Sequence, residues 1–377
     1  MSDRSPDSQG FGSGIPAALI AAFLFGITTP VSKLLLGETG PVILAGLLYL
    51  GAGAGLLVYR ILSRQVLPRN SLPPEAPVRS ADLPWLAGIV ITGGFLGPVL
   101  LMTGLATLPA GTASLMLNGE LAATTLLAVL LFHEPADRRI TLSIILVLAG
   151  GIIISWDPDA PSGFSPGAFL ILLACLAWGL DNNLTRKVAD KDPVTIVIIK
   201  GLCAGTISLC IGLSTGEPLP PLYLVPAALA AGCLGYGLSI LFFIRGLRKL
   251  GAARTGSLFA TAPFIGLVAS PLITGEVTGL LVIPAGLCMI LGVTLMVTES
   301  HGHVHTHQSL YHEHRHSHDD GHHYHHHPAG SEPEHAHSHN HGECIHDHPH
   351  TPDIHHYHPH DPDDGLQSGM KEEKEEK

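Results

Sequence analysis

Charge is scarce in this chain. Asp, Glu, Lys and Arg make up 14% of its 377 residues, where a soluble domain carries about 25%. That is too little to cover a water-facing surface of this size. Cysteine supplies no scaffold either. Cys175, Cys203, Cys210, Cys233 and Cys288 lie inside apolar blocks, Cys344 stands apart, and no CxxC pair occurs. A disulfide framework and a zinc knuckle are thereby excluded, and small packing residues are expected instead. No phosphate-binding GxxxxGK[ST] loop and no nucleophile with a base partner can be found. ATP-driven transport by this chain alone and enzymatic catalysis are both set aside, and no nucleic-acid partner is expected.

The shortage of charge is uneven. Residues 301–377 hold 4 basic and 15 acidic residues, so the whole net charge of −11 belongs to that tail and residues 1–300 sum to zero. The tail also holds 24 of the 25 histidines. Two different materials are joined near Glu299.

The first material is apolar in long blocks. About 20 apolar residues cross a bilayer core as a helix, because the backbone must satisfy itself there. Ten such spans are predicted, at about 15–36, 41–62, 84–105, 108–131, 139–156, 166–186, 194–214, 222–244, 253–273 and 279–298. The first is too long for a signal peptide, and it lacks a basic leader followed by an A-x-A site, so it is expected to stay. Basic residues then set the orientation. Arg60, Arg64, Arg69, Arg79, Arg138, Arg139, Arg186, Lys187, Lys191, Arg245, Arg248, Lys249 and Arg254 all fall on even-numbered links, while the odd links have only Lys33 at the end of span 1. Even links, both termini and the tail are expected on the cytoplasmic side of an inner (plasma) membrane.

An internal repeat cuts the chain the same way. Residues 104–110 (GLATLPA) align with residues 246–252 (GLRKLGA) at an offset of 142, which also sets Glu134 on Glu276 and Gly150 on Gly292. At an offset of 153, Phe25-Gly26 and Ser32-Lys33 match Trp178-Gly179 and Thr185-Arg186. Five spans per copy is an odd number, so the copies are expected to be inverted, the architecture of alternating-access carriers. The predicted fold class is an all-α membrane protein of ten transmembrane helices in two inverted five-helix repeats, followed by a disordered tail. Its expected parts are residues 1–13, 14–157, 158–298 and 299–377.

Residues 15–298 resemble the ten-helix EamA branch of the drug/metabolite transporter superfamily. The resemblance rests on Ala21-Ala22-Phe23-Leu24-Phe25-Gly26, on Leu108-Pro109-Ala110, on Leu131-Phe132-His133-Glu134 followed by Gly150, and on their second-half equivalents. It implies export of a small metabolite or drug-like solute. Members typically carry a Glu-Pro step in the fourth and ninth helices; here Glu120-Leu121 has only the acid and Ala262-Pro263 only the proline. The family's basic residue in helix 2 is absent around Tyr49.

Ionisable groups within a membrane cost about 2.5–3.5 kcal/mol or more each, which makes them functional candidates. Glu120, in the middle of span 4 after Asn118 and Gly119, is the first: a proton- or substrate-coupled carboxylate, or a carboxylate buried for packing specificity. Asp181, Asn182 and Asn183 cluster in span 6, and Lys200 lies in span 7. Counting 1.5 Å per residue from the cytoplasmic surface puts Asp181 and Lys200 at about the same depth, roughly 8–10 Å. There they form either a structural ion pair or a gating or substrate site. His133 beside Glu134 reads as an interfacial cap. The glycine pairs Gly51/Gly55 and Gly201/Gly205 read as close helix packing. Pro30, Pro98, Pro263, Pro271 and Pro284 read as kinks.

In the tail, His301, His303, His305 and His307 alternate, as do His312, His314, His316 and His318, with His322, His323, His325, His326 and His327 following. Imidazole suits Zn, Ni and Co, so weak multisite binding of divalent metal ions is expected, with no cofactor required. A solvated tail without a metal role is the plainer reading. A third is a pH sensor, since protonating all the histidines would carry the tail from −11 to +13. The partners expected are the lipid bilayer, a small-molecule substrate and metal ions at the tail, with a homodimer left open. The competing functions are a divalent Ni, Co or Zn transporter, and a metal-responsive membrane sensor.

Overall fold

The computed structural model describes residues 7–66, 76–132, 138–157, 160–161, 163–189 and 191–297, and in the tail 301–307, 310–317, 334–341 and 344–350. His133 and Glu134 lie outside the described residues, as do His318 and His322 to His327.

Nine helices among the described residues are long and apolar enough to cross a membrane: span 1 (Gly14–Leu36), span 2 (Pro41–Gln65), span 3 (Ser80–Thr107), span 4 (Ala110–Leu131), span 5 (Arg138–Ser155), span 6 (Pro166–Val188), span 7 (Pro193–Ser214), span 8 (Val225–Leu247) and span 9 (Arg254–Thr274). Where the sequence predicts a tenth crossing of twenty residues, the helix is Val282–Val297, 16 residues. At 1.5 Å per residue this described part reaches about 24 Å of a hydrocarbon core about 30 Å thick. Its outer faces, like those of the other helices, carry large exposed apolar side chains, among them Val58, Leu130, Ile145, Phe169, Val268 and Leu287. Such a continuous apolar surface suits lipid rather than water.

The links sort into two ends. At the odd-link end, the Glu217 carboxylate accepts from the N–H groups of Val42 (2.9 Å) and Ile43 (3.0 Å), which caps the start of span 2. Tyr223 reaches Glu38 at the same end; this carboxylate neighbour pushes the phenol's pKa above its ordinary value. At the even-link end, Arg60 pairs with Asp192 at 2.7 Å, and Asp192 also caps span 7 by accepting from Val194 N–H at 3.0 Å.

Helices from the two halves of the chain are interleaved. Span 2 packs on span 7, span 5 on the Val282–Val297 helix, span 1 on span 8 and span 3 on span 6. The small-residue pairs permit this. A Cβ on Gly201 would lie 2.7 Å from Tyr49 O, and one on Gly51 would lie 2.1 Å from Leu229 O. The glycines therefore sit where backbones touch, as the packing reading expects.

Two departures from regular helix recur in both halves, at about the 142-residue spacing of the sequence repeat. Spans 3 and 8 each contain a π-helical stretch, Val90–Leu96 and Cys233–Leu238. Spans 4 and 9 are each broken, at Leu117–Asn118 and at Ala260–Thr261. Both breaks tighten through i→i−3 bonds, Asn118 N–H to Leu115 O and Thr261 N–H to Leu258 O, each 3.2 Å. Span 4 thus comprises Ala110–Met116 and Gly119–Phe132, and span 9 comprises Ala252–Phe259 and Ala262–Thr274.

The broken spans make the two ends unlike. The first half of span 4 packs on the second half of span 9 near the odd-link end. A Cβ on Gly266 there would sit 2.7 Å from both Gly26 O and Ser114 Oγ, so spans 1, 4 and 9 meet without a gap. Toward the even-link end the other halves separate to different neighbours. Gly119–Phe132 lies on spans 5 and 6, and Ala252–Phe259 on spans 1 and 8.

In the tail the sequence reading expects disorder, whereas its described parts are extended and paired. β1 (His301–His307) runs antiparallel to β4 (Cys344–His350), and β2 (Leu310–Ser317) to β3 (Glu334–His341). The alternating His-x-His pattern has the period of a strand, which is the physical reason for extension. A two-stranded ribbon alone is marginal in water.

Candidate functional site

The site is built around the break in span 4. Glu120 falls in the first turn of the helix that restarts at Gly119. Its Oε1 accepts from Asn182 Nδ2 at 3.0 Å, and the same amide donates to Thr124 Oγ1 at 3.1 Å. Thr124, one turn on from Glu120, returns its hydroxyl to Glu120 O at 2.8 Å. Asn183 fastens span 6 to the same turn by donating to Thr124 O at 3.0 Å, and donates within span 6 to Gly179 O at 2.8 Å. Glu120 has no ion pair among the described residues, and Glu120, Thr124 and Asn182 are all only half-buried. A carboxylate in this position has an amide for orientation and, among the described residues, no cation in direct contact.

Beside it lies a charge pair. Lys200 of span 7 meets Asp181 of span 6 at 2.5 Å, with side chains 18% and 6% exposed. The second oxygen of Asp181, Oδ1, is buried without a hydrogen-bond partner among the described residues. Gly93 of span 3 permits this approach, because a Cβ there would sit 2.1 Å from the Asp181 carboxylate. The same residue offers a carbonyl that the helix cannot use. Gly97 N–H reaches back to Thr92 O in the π-helical stretch. The next donor in that series would serve Gly93 O, but it is Pro98, which has no N–H. Tyr49 Oη (2.7 Å) and Trp178 Nε1 (3.0 Å) fill the vacancy instead. Four spans are joined through one carbonyl and one carboxylate.

An aromatic wall continues from Tyr49. Its ring lies 5.4 Å from that of Tyr236, which meets Phe25 edge-on at 5.9 Å; Phe25 in turn lies 5.3 Å from Phe259. These residues come from spans 1, 2, 8 and 9.

Of the residues singled out in the sequence, the structure brings Glu120 to Asn182 and Asp181 to Lys200. Asn118 does not join them. It is 3% exposed and turns back to donate to Leu115 O at 2.9 Å, closing the break from inside. Sequence reasoning missed Thr124, Tyr49, Trp178 and the Gly93 carbonyl. Thr124 was within reach, as the i+4 neighbour of Glu120. The Gly93 carbonyl was not, since a π-helical stretch leaves no simple mark in sequence. Among the described residues no group of three or more His, Cys, Asp or Glu could hold a metal ion.

A profile of the EamA-like transporter family matches this chain twice, over residues 12–156 and again over residues 165–298. The chain belongs to the EamA-like transporter family. The two matches together take in the whole helical body and leave the histidine tail outside. Among its relatives is an uncharacterized transporter of Methanothermobacter thermautotrophicus, 27% identical over 293 residues, covering 75% of this chain and 85% of the relative. Another is the uncharacterized inner membrane transporter YedA of Escherichia coli, 25% identical over 218 residues, covering 58% of this chain and 68% of the relative. A solved crystal structure shares the fold at a TM-score of 0.53 and 17% identity, covering 74% of this chain and 95% of the other. This EamA-like protein is a multi-pass membrane transporter.

Proposed function

We propose that this transporter moves a small metabolite or drug-like solute by alternating access and works as an exporter. Its two family-matched segments act as inverted five-helix repeats with ten crossings. The even-link end, both termini and the tail face the cytoplasm, in keeping with the thirteen basic residues on even links and the positive-inside rule.

The observation that carries the reading is Glu120: a carboxylate at a helix break in mid-span, held by an amide and without an ion pair among the described residues. Such a group takes up a proton or a cationic group of the solute and gives it back when the other partner arrives. The Asp181–Lys200 pair and the Tyr49–Trp178–Gly93 cluster hold the walls against which this exchange occurs. The test is flux from reconstituted vesicles, with a metabolite panel under an imposed pH gradient. Solute-dependent flux that disappears in Glu120→Gln is expected; flux with unchanged pH dependence in that variant would return Glu120 to a packing role.

The tail is proposed as a weak store for Zn, Ni or Co ions at the cytoplasmic mouth. Metal as the transported cargo is the second reading, favoured by the histidines of the tail alone. Radiolabelled metal uptake by tail-deleted protein separates the two, since a carrier of metal retains flux and a store does not.

A further inference from the structure

A second polar assembly lies at the odd-link end, away from Glu120. Lys33, in the last turn of span 1, donates from Nζ to the carbonyls of Leu105 (2.9 Å), Ala106 (3.3 Å) and Leu108 (2.9 Å). These are terminal carbonyls of span 3 and its turn, which have no N–H partner within the helix. The same ammonium lies 3.6 Å from Glu276 Oε1. The other oxygen, Glu276 Oε2, accepts from the N–H of Ala110 at 2.9 Å, the first residue of span 4. Thr274 Oγ1 in turn accepts from Glu276 N–H at 3.2 Å and fixes the start of that link.

Each charge sits where the helix dipole wants it, the ammonium at a C-terminus and the carboxylate at an N-terminus. The span 3–span 4 turn is therefore gripped on both sides by residues that belong to other parts of the body, span 1 and the link after span 9. This is also the end at which the first half of span 4 closes on the second half of span 9. The two side chains are 18% and 33% exposed, so the pair is only partly open at the odd-link end. It ties together elements whose relative position decides whether Ser114, buried between the odd-link end and Glu120, is reachable.

We propose that Lys33 and Glu276 form a latch that keeps the odd-link end shut in the state recorded here, and that it opens in every cycle when solute passes between Glu120 and that end. The proposal rests on the alternating-access reading above. Both are positioning residues; neither is assigned contact with the solute.

The test uses the full chain with its native cysteines replaced and Ser114→Cys as reporter, labelled by a membrane-impermeant thiol reagent without added solute. Labelling is expected to be slow in the latched protein and about tenfold faster in Lys33→Gln, the change given by a one-decade shift of a two-state balance. Lys33→Arg, which keeps charge and donors, is expected to restore slow labelling. Equal labelling of Lys33→Gln and its parent, both monodisperse, would overturn the latch. Should Lys33→Gln fail to fold, Glu276→Gln decides by the same labelling, since it keeps the Lys33 ammonium on its three carbonyls. Faster labelling than the parent is expected, and equal labelling would overturn the proposal. The labelling arm needs no solute, so an absence of flux in every protein would count against the transport reading and leave the latch to be judged by labelling.

Discussion

Spans 4 and 9 are broken at matching places, yet only one of them carries a charge at the break. In span 4 the helix restarts at Gly119 with Glu120 in its first turn; in span 9 it restarts at Ala262 with Pro263 at the second position. Span 4 breaks without a proline at the break, so a proline is not required for such an interruption. What the two share is position: each crosses the body where spans from both halves meet, and each has halves with different neighbours. The difference teaches that backbone geometry is common to the two spans while the chemistry is invested in one.

The comparison is broken most severely by removing the charge. Glu120→Gln is expected to reduce coupled flux to background while the protein inserts and elutes normally, because volume and hydrogen bonding to Asn182 are kept. No charge change at Ala262 has an equivalent to remove, so a neutral substitution there is expected to leave coupling intact.

The next largest effect falls on the charge pair behind Glu120. Asp181→Asn leaves Lys200 buried and unpaired, and is expected to destabilise by about 3–5 kcal/mol. Asp181→Asn with Lys200→Met removes both charges and is expected to cost much less. Thermal unfolding in detergent checks this, and losses that simply add would show that the two residues act independently.

A smaller effect separates the two π-helical stretches. Gly93 and Gly235 lie 142 residues apart, one against Asp181 and the other against Thr28, where an added Cβ would meet Oγ1 at 1.8 Å. Each Gly→Ala change is expected to cost about 1–3 kcal/mol through overpacking. In the Asp181→Asn/Lys200→Met background the cost of Gly93→Ala is expected to change, because its neighbour has changed, while that of Gly235→Ala stays the same. Equal behaviour of the two in a thermal-shift cycle would dissolve the distinction.

The smallest effect is expected from Pro263→Leu, which gives span 9 the residue that span 4 has at the 142-residue offset, Leu121. Proline is well tolerated in a first helical turn, where its missing N–H is not needed. A stability change within about 1 kcal/mol is expected, with the break retained. Hydrogen exchange slowing at Ala260 and Thr261 to the level of a continuous helix would show that the proline does maintain the break.

Much of the body was legible because membrane insertion is a local rule. Length and apolarity of a segment decide whether it crosses, and nine of the predicted segments are matched by helices long enough to do so. At 279–298 the described helix is Val282–Val297, which starts later than the predicted segment. Residues 279–281 are drawn into the turn before it, with Val282 N–H bonded to Gly279 O. The Asp181–Lys200 pair was legible too, since equal depth on adjacent antiparallel spans brings opposite charges together. Tyr49 and Trp178 were not. They point at a carbonyl that is vacant only because a π-helical stretch and Pro98 coincide.

The sequence by itself determined where the apolar body ends and the histidine tail begins, how the segments repeat, and that Glu120 is a charge out of place in mid-span. Those properties follow from composition and spacing, which do not depend on what lies next to a residue in space. Only the tertiary structure decided that Asn118 turns inward while Asn182 orients Glu120, that the broken halves of spans 4 and 9 close at one end and separate at the other, and that Lys33 and Glu276 meet across the turn at Ala110. Each depends on contacts between residues distant along the chain. Lys33 and Glu276 illustrate the reason: in sequence each is a lone charge at a helix end, and only packing gives either a partner.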